Sequence, residues 1–119
     1  QIEFFGFATD DELAWFYNHC VTYVFPSFME GFGLPAVEAM QHGAPVASSN
    51  ATCLPEVLGN AAHYFDPANP SEMATQIDKI ISDEKLRDRL IKKGKKQVVR
   101  YSWLKMAEET LAVYNKALN

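Results

Sequence analysis

The residues with the most chemical potential lie in one run, Glu30-Gly31-Phe32-Gly33-Leu34-Pro35-Ala36-Val37-Glu38-Ala39-Met40. It holds two carboxylates eight residues apart. An ionised carboxylate only accepts hydrogen bonds, and its two oxygens can hold a vicinal diol. Gly31 and Gly33 interrupt the helical spacing, so Glu30 is expected on a loop. Pro35 suits the opening of a helix, and Glu38 then falls one turn inside it. The first turn of a helix leaves its backbone N–H groups without partners and favours an anion. Two carboxylates flanking such N–H groups suit a sugar-phosphate with many hydroxyls.

The elements that must position this run follow from the apolar pattern. Val21–Phe25 is a continuous apolar strand that ends at Pro26-Ser27 and leads into the loop Ser27–Leu34. Unbroken apolarity implies cover on both faces, as in a parallel sheet. Before it, Ile2–Phe5 reads as a short strand closed by Gly6. Thr9 or Asp10 can cap a helix to about Cys20, with Leu13, Phe16, Tyr17 and Cys20 on its inner face. After the loop come a helix to about Gln41, ended by Gly43, and a strand Pro45–Ser48. A short helical turn over Leu54–Gly59 and a strand His63–Phe65 follow. Helices are expected from Ser71 to about Ser82, over about Glu84–Val99, and after a Ser102 cap. This alternation predicts an α/β fold. The expected form is a partial, doubly wound, Rossmann-like parallel sheet of about four strands with C-terminal helices.

With 119 residues, 48% of them apolar, one globular domain is expected. No apolar run approaches the roughly 20 residues of a membrane span, and no signal peptide is read. The chain opens on Gln1 rather than Met and runs at once into a strand-like segment, so it reads as a piece of something longer. Cys20 and Cys53 fit no metal spacing and read as free, buried thiols of a reducing compartment. The net charge of −4 hides an asymmetry. Residues 1–78 hold ten acids and no Lys or Arg, whereas residues 79–119 hold all eleven basic residues. A diphosphate at the loop would therefore need its cation from elsewhere.

Several motifs stand in order along nearly the whole chain. They are Pro26-Ser27, Glu30 to Met40, Gly43-x-Pro45-Val46, Leu54-Pro55-Glu56-Val57, Phe65-Asp66-Pro67 and Ser102-Trp103. Together they resemble the C-terminal half of a GT-B-fold retaining glycosyltransferase of family 4, or group 1. The resemblance implies that residues 1–119 are the donor-binding part of a C-terminal domain whose N-terminal acceptor domain is absent. It implies transfer of a hexose from a nucleotide-diphosphate-sugar to a saccharide or lipid-linked acceptor. In it Glu30, the catalytic residue, faces the donor sugar's hydroxyls. The N–H groups of Gly31, Phe32, Gly33 and Leu34 reach the sugar and the diphosphate. Glu38 accepts from the ribose hydroxyls, and Ser27 joins the donor-binding residues. No cofactor is implied beyond the donor itself, and no metal is generally needed. Retention is described in the family as a front-face reaction in which the leaving phosphate helps deprotonate the acceptor. The family's diphosphate-neutralising Arg and Lys and the first strands of its sheet have no counterpart here. Either the strands present pair directly, or another chain covers the open edge, as a homo-oligomer or by strand exchange.

Plainer roles stand beside these. Glu30 and Glu38 as an acid–nucleophile pair of a glycoside hydrolase reads less well, because the family sets Glu38 at the nucleotide. Phe32, between two glycines, reads as a wall of the site. His19, His42 and His63 read as structural or exposed. Glu56 reads as a cap or packing residue at the site's rim. Ser27, Ser48, Ser49 and Asn50 follow strand ends where ligands bind, and pocket lining and plain packing are both open for them. The basic run from Lys85 to Arg100 reads as a solvated face rather than a nucleic-acid surface, with peripheral contact to an anionic membrane as its functional version. Trp103 is expected to pack the last helix onto the body. The implied location is cytoplasmic, at the inner face of the membrane where the acceptor is lipid-linked. The alternative to a transferase is a non-catalytic nucleotide-binding or interaction module; another GT-B enzyme is more remote.

Overall fold

The computed structural model describes residues 1–118. Three parallel strands lie in the order of the chain: β1 (Tyr23–Phe25), β2 (Val46–Ser49) and β3 (Ala62–Phe65). Before β1 stands α1 (Asp10–His19). Between β1 and β2 comes α2 (Leu34–Gln41), and between β2 and β3 come α3 (Leu54–Leu58) and a 3-10 turn, Gly59–Ala61. The helices α4 (Pro70–Ser82), α5 (Glu84–Val98) and α6 (Trp103–Leu118) complete the chain.

Local chemistry sets most helix starts. Thr9 and Glu12 form a reciprocal capping box at α1. Hydrogen bonds from the Thr9 backbone N–H and hydroxyl hold the Glu12 carboxyl below its ordinary value. Asn69 and Asp83 cap α4 and α5 through their side chains, each such cap contributing about 1 kcal/mol. Ser102 accepts from the Lys105 N–H at the start of α6.

The sheet is covered on both faces. One core joins Tyr17, Phe25, Ala36, Met40, Val46, Leu54 and Leu58, from α1, α2, α3 and the strands. The other joins Ala47, Phe65, Ile80 and Leu90, against α4 and α5. Helix α5 runs on to α2, where a Cβ on Gly94 would lie 3.2 Å from the Met40 side chain. Its last turn and the residues just after it hold the segment before β3. Gln97 Nε2 and the Tyr101 hydroxyl both donate to the Val57 carbonyl, at 2.7 and 2.8 Å.

Two expectations are corrected. Ile2–Phe5 forms no strand, so the sheet has three strands rather than about four, and of the two alternatives given for the open edge, direct pairing of that segment does not occur. A lone strand has no partners for its backbone, and β1 offers only three residues of ladder. Trp103 does not pack α6 onto the body: it is 71% exposed, and α6 buries no residue. Both core faces are built from α1 to α5 and the strands, and neither includes a residue of α6.

Candidate functional site

The loop from Pro26 to Gly33 leaves the C-terminal end of β1 and meets the turn that leaves β2. Parallel strands carry adjacent exit loops to the same edge, which is where open α/β sheets bind ligands. Register puts Phe25 beside Ser48, so the two loops start level.

Glu30 sits half-buried in this loop. The Ser27 hydroxyl donates to Glu30 Oε1 at 2.7 Å. The Glu30 N–H donates to Thr52 Oγ1 at 3.3 Å, and the Cys53 thiol donates to the Glu30 carbonyl, also at 3.3 Å. The next four N–H groups, of Gly31, Phe32, Gly33 and Leu34, donate to no acceptor among the described residues. The first N–H of α2 with a partner is that of Ala36, to the Gly33 carbonyl at 3.1 Å. The helix begins with Gly33 at φ +88° and Pro35 within its first two positions. No side chain caps it, so its partial positive charge faces the loop.

Glu38 lies exposed on α2, one turn inside, where Pro35 set it. Both acids lie close enough to β1 to act on Tyr23. Burial pushes the Tyr23 phenol well above its ordinary value, followed by the charge of Tyr17, with smaller contributions from Glu38 and Glu30. Phe32 packs edge-on against Tyr101, with ring centroids 5.1 Å apart. It is a loop aromatic whose ring meets the segment that follows α5.

The remaining residues sort by burial and partner. Ser48 and Ser49 are fully buried and belong to the frame rather than to an open lining. Ser49 Oγ donates to the Ser27 carbonyl at 2.6 Å and accepts from the Ala51 N–H, which ties the two loops together. His19 stacks on Trp15, and His42 contacts Asn18, both away from the loop. His63 lies on β3 with Nε2 unpartnered among the described residues. Both cysteines are free and half-buried, and burial raises the Cys20 thiol. No cluster of three or more His, Cys, Asp or Glu could hold a metal ion among the described residues. No described helix is long and apolar enough to cross a membrane. Sequence reasoning did not single out Thr52 or Tyr101, and left Cys53 as a bland thiol. Nothing in the run Asn50–Cys53 marks a turn that reaches back to Glu30.

A three-layer α/β frame with this loop and helix start is that of a GT-B C-terminal domain, present here as a fragment. The profile described as "Glycosyl transferases group 1" matches residues 1–97, and the chain belongs to that family. It is 37% identical over 113 residues to O-antigen chain mannosyltransferase B of Escherichia coli, covering 95% of this chain and 30% of that protein. It is 38% identical over 118 residues to serotype-specific mannosyltransferase WbdA of Escherichia coli, covering 99% of this chain and 14% of that one. Among solved structures, sucrose-phosphate synthase from Thermosynechococcus elongatus superposes with a TM-score of 0.80 at 28% identity. That match covers 89% of this chain and 27% of the other. The chain thus spans less than a third of the length of each.

Proposed function

We propose that this chain is the donor-binding part of a retaining hexosyltransferase. The reading rests on four consecutive unpartnered N–H groups, residues 31–34, that run into the start of α2, directly after Glu30, whose carboxylate Ser27 holds. Glu30 accepts from the donor sugar's hydroxyls, a charge-assisted bond stronger than a neutral one. The N–H groups of Gly31, Phe32, Gly33 and Leu34 bind the sugar and the diphosphate, and they stabilise the charge that grows as the phosphate leaves. Glu38 accepts from the ribose hydroxyls. Retention follows the front-face course that the family resemblance implies, and no step is assigned to a metal ion.

The donor is a nucleotide-diphosphate-sugar. The two Escherichia coli relatives are mannosyltransferases, which makes mannose the first sugar to test. The saccharide or lipid-linked acceptor binds on a separate N-terminal domain, and the cations for the diphosphate come from outside residues 1–78. Domain closure over the donor then excludes water. This chain alone has little transferase activity. The enzyme acts on the cytoplasmic side, with peripheral membrane contact through the exposed basic side chains of α5. The free edge of β1 takes a further strand, from the intact domain or from a second copy.

The test is a titration of the isotopically labelled chain with UDP, GDP, ADP and their sugars, following backbone amides by NMR. Shifts centred on Gly31, Gly33 and Leu34 with one nucleotide, lost in Glu38→Ala, are expected. Silence at millimolar ligand in both this chain and the intact protein would overturn the reading. Binding by an intact protein that transfers no sugar would favour the non-catalytic module instead.

A further inference from the structure

Among the described residues Thr52 is the one non-glycine with a positive φ, at +50°. β-branched residues avoid that left-handed region. Thr52 is exposed, so packing does not hold it there. Its hydroxyl meets Glu30 twice. It accepts from the Glu30 N–H at 3.3 Å and lies 3.4 Å from the Glu30 carbonyl, to which it donates. The neighbouring Cys53 thiol donates to the same carbonyl. A single turn, 22 residues away in the chain, therefore grips both ends of the Glu30 backbone. The same turn reaches Glu30 by a second route. Buried Ser49 accepts from the Ala51 N–H and donates to the Ser27 carbonyl, and the Ser27 hydroxyl holds the Glu30 carboxylate.

We propose that Thr52 is a positioning residue: its left-handed turn clamps the Glu30 backbone and so aims the Glu30 carboxylate beside the open N–H groups of residues 31–34. The inference rests on the reading of Glu30 as donor-facing. Strained backbone persists where surrounding contacts over-determine it; the turn is closed by its own Leu54 N–H to Ala51 carbonyl bond at 3.2 Å, and its two side-chain contacts, from Thr52 and Cys53, both end on Glu30. The clamp also uses up the Glu30 N–H, so the open N–H groups begin only at Gly31. What the site needs from position 52 is the hydroxyl at that place in space, not the methyl group.

Three variants in the intact protein separate the clamp from general stability. Thr52→Ser keeps the hydroxyl. Thr52→Val keeps the shape without it. Thr52→Gly removes the hydroxyl but relieves the left-handed strain, so its Tm is expected to hold or rise. Hydrogen exchange of the 27–34 segment, read by mass spectrometry, is expected to quicken by roughly tenfold in Thr52→Gly and Thr52→Val and to stay unchanged in Thr52→Ser. With the donor identified by titration, kcat is expected to fall about tenfold or more in Thr52→Gly and Thr52→Val, with donor KM little changed, and to be retained in Thr52→Ser. Glu30→Gln runs alongside. Unchanged exchange in Thr52→Gly overturns the clamp. Faster exchange with full kcat, in a background where Glu30→Gln is crippled, overturns the positioning role. Full kcat in Glu30→Gln overturns the donor-facing reading of Glu30 and, with it, the aim assigned to Thr52.

Discussion

A Cβ on Gly33 would stand 2.5 Å from Leu54 Cδ2, with Phe25 Cε1 at 3.5 Å. Leu54 is fully buried at the start of α3 and has no room to retreat. Gly33 also sits at φ +88°, where an L side chain is strained. Gly33→Ala is therefore expected to destabilise the fold by about 2–4 kcal/mol, the sum of a left-handed backbone penalty and overpacking. Urea unfolding of the chain measures it. A loss no larger than that of an ordinary surface substitution would contradict the close approach of loop and helix.

Gly31 behaves oppositely. It has no positive φ, and a Cβ there would meet nothing within 4 Å. The fold does not require glycine at this position. If an anion approaches the backbone here, the added methyl lies in its way. Gly31→Ala is expected to change stability by no more than about 0.5 kcal/mol while weakening nucleotide binding roughly tenfold. Calorimetric titration beside an unfolding curve reads both. Equal binding by Gly31→Ala and the parent would place the ligand elsewhere.

Three tyrosines are expected to limit the stability of the fold at high pH. Burial raises the phenols of Tyr17, Tyr23 and Tyr64, the last to about 12 from an ordinary 10.0. A folded pKa above the unfolded one means that the folded state holds its proton more tightly. The stability held by Tyr64 is thus full below pH 10.0 and is lost as the pH rises toward about 12. In an alkaline titration, tyrosinate absorbance from these residues is expected to appear together with loss of circular dichroism. Complete phenol ionisation with the fold intact would contradict their burial.

Much of this was legible in the chain. The strand into Phe25, the glycine turn, the start near Pro35 and the place of Glu38 one turn on all follow from short-range rules. The Ser102 cap was legible for the same reason, and the α1 cap as one of two neighbours, Thr9 or Asp10, of which the structure uses Thr9. Ile2–Phe5 misled, because β-type residues form a strand only when a neighbour accepts their hydrogen bonds. Trp103 misled, because an amphipathic helix signals that it has a partner but not which surface supplies it. Ser48 and Ser49 could not be assigned from their order alone, since burial depends on what the neighbouring loops cover.

The sequence by itself determined the alternation of strands and helices, the loop that carries Glu30, and the helix start with its open N–H groups. Each depends on residues within one or two turns of each other. Only the tertiary structure decided what holds Glu30. Ser27 is three residues from Glu30, but its backbone is anchored by Ser49, and the Glu30 backbone is gripped by Thr52 and Cys53, each more than twenty residues away from the group it holds. Those contacts exist because β1 and β2 pair in parallel register and deliver their exit loops to one edge. No local pattern encodes that meeting, since it depends on the register of two strands and the packing of the helices that hold them.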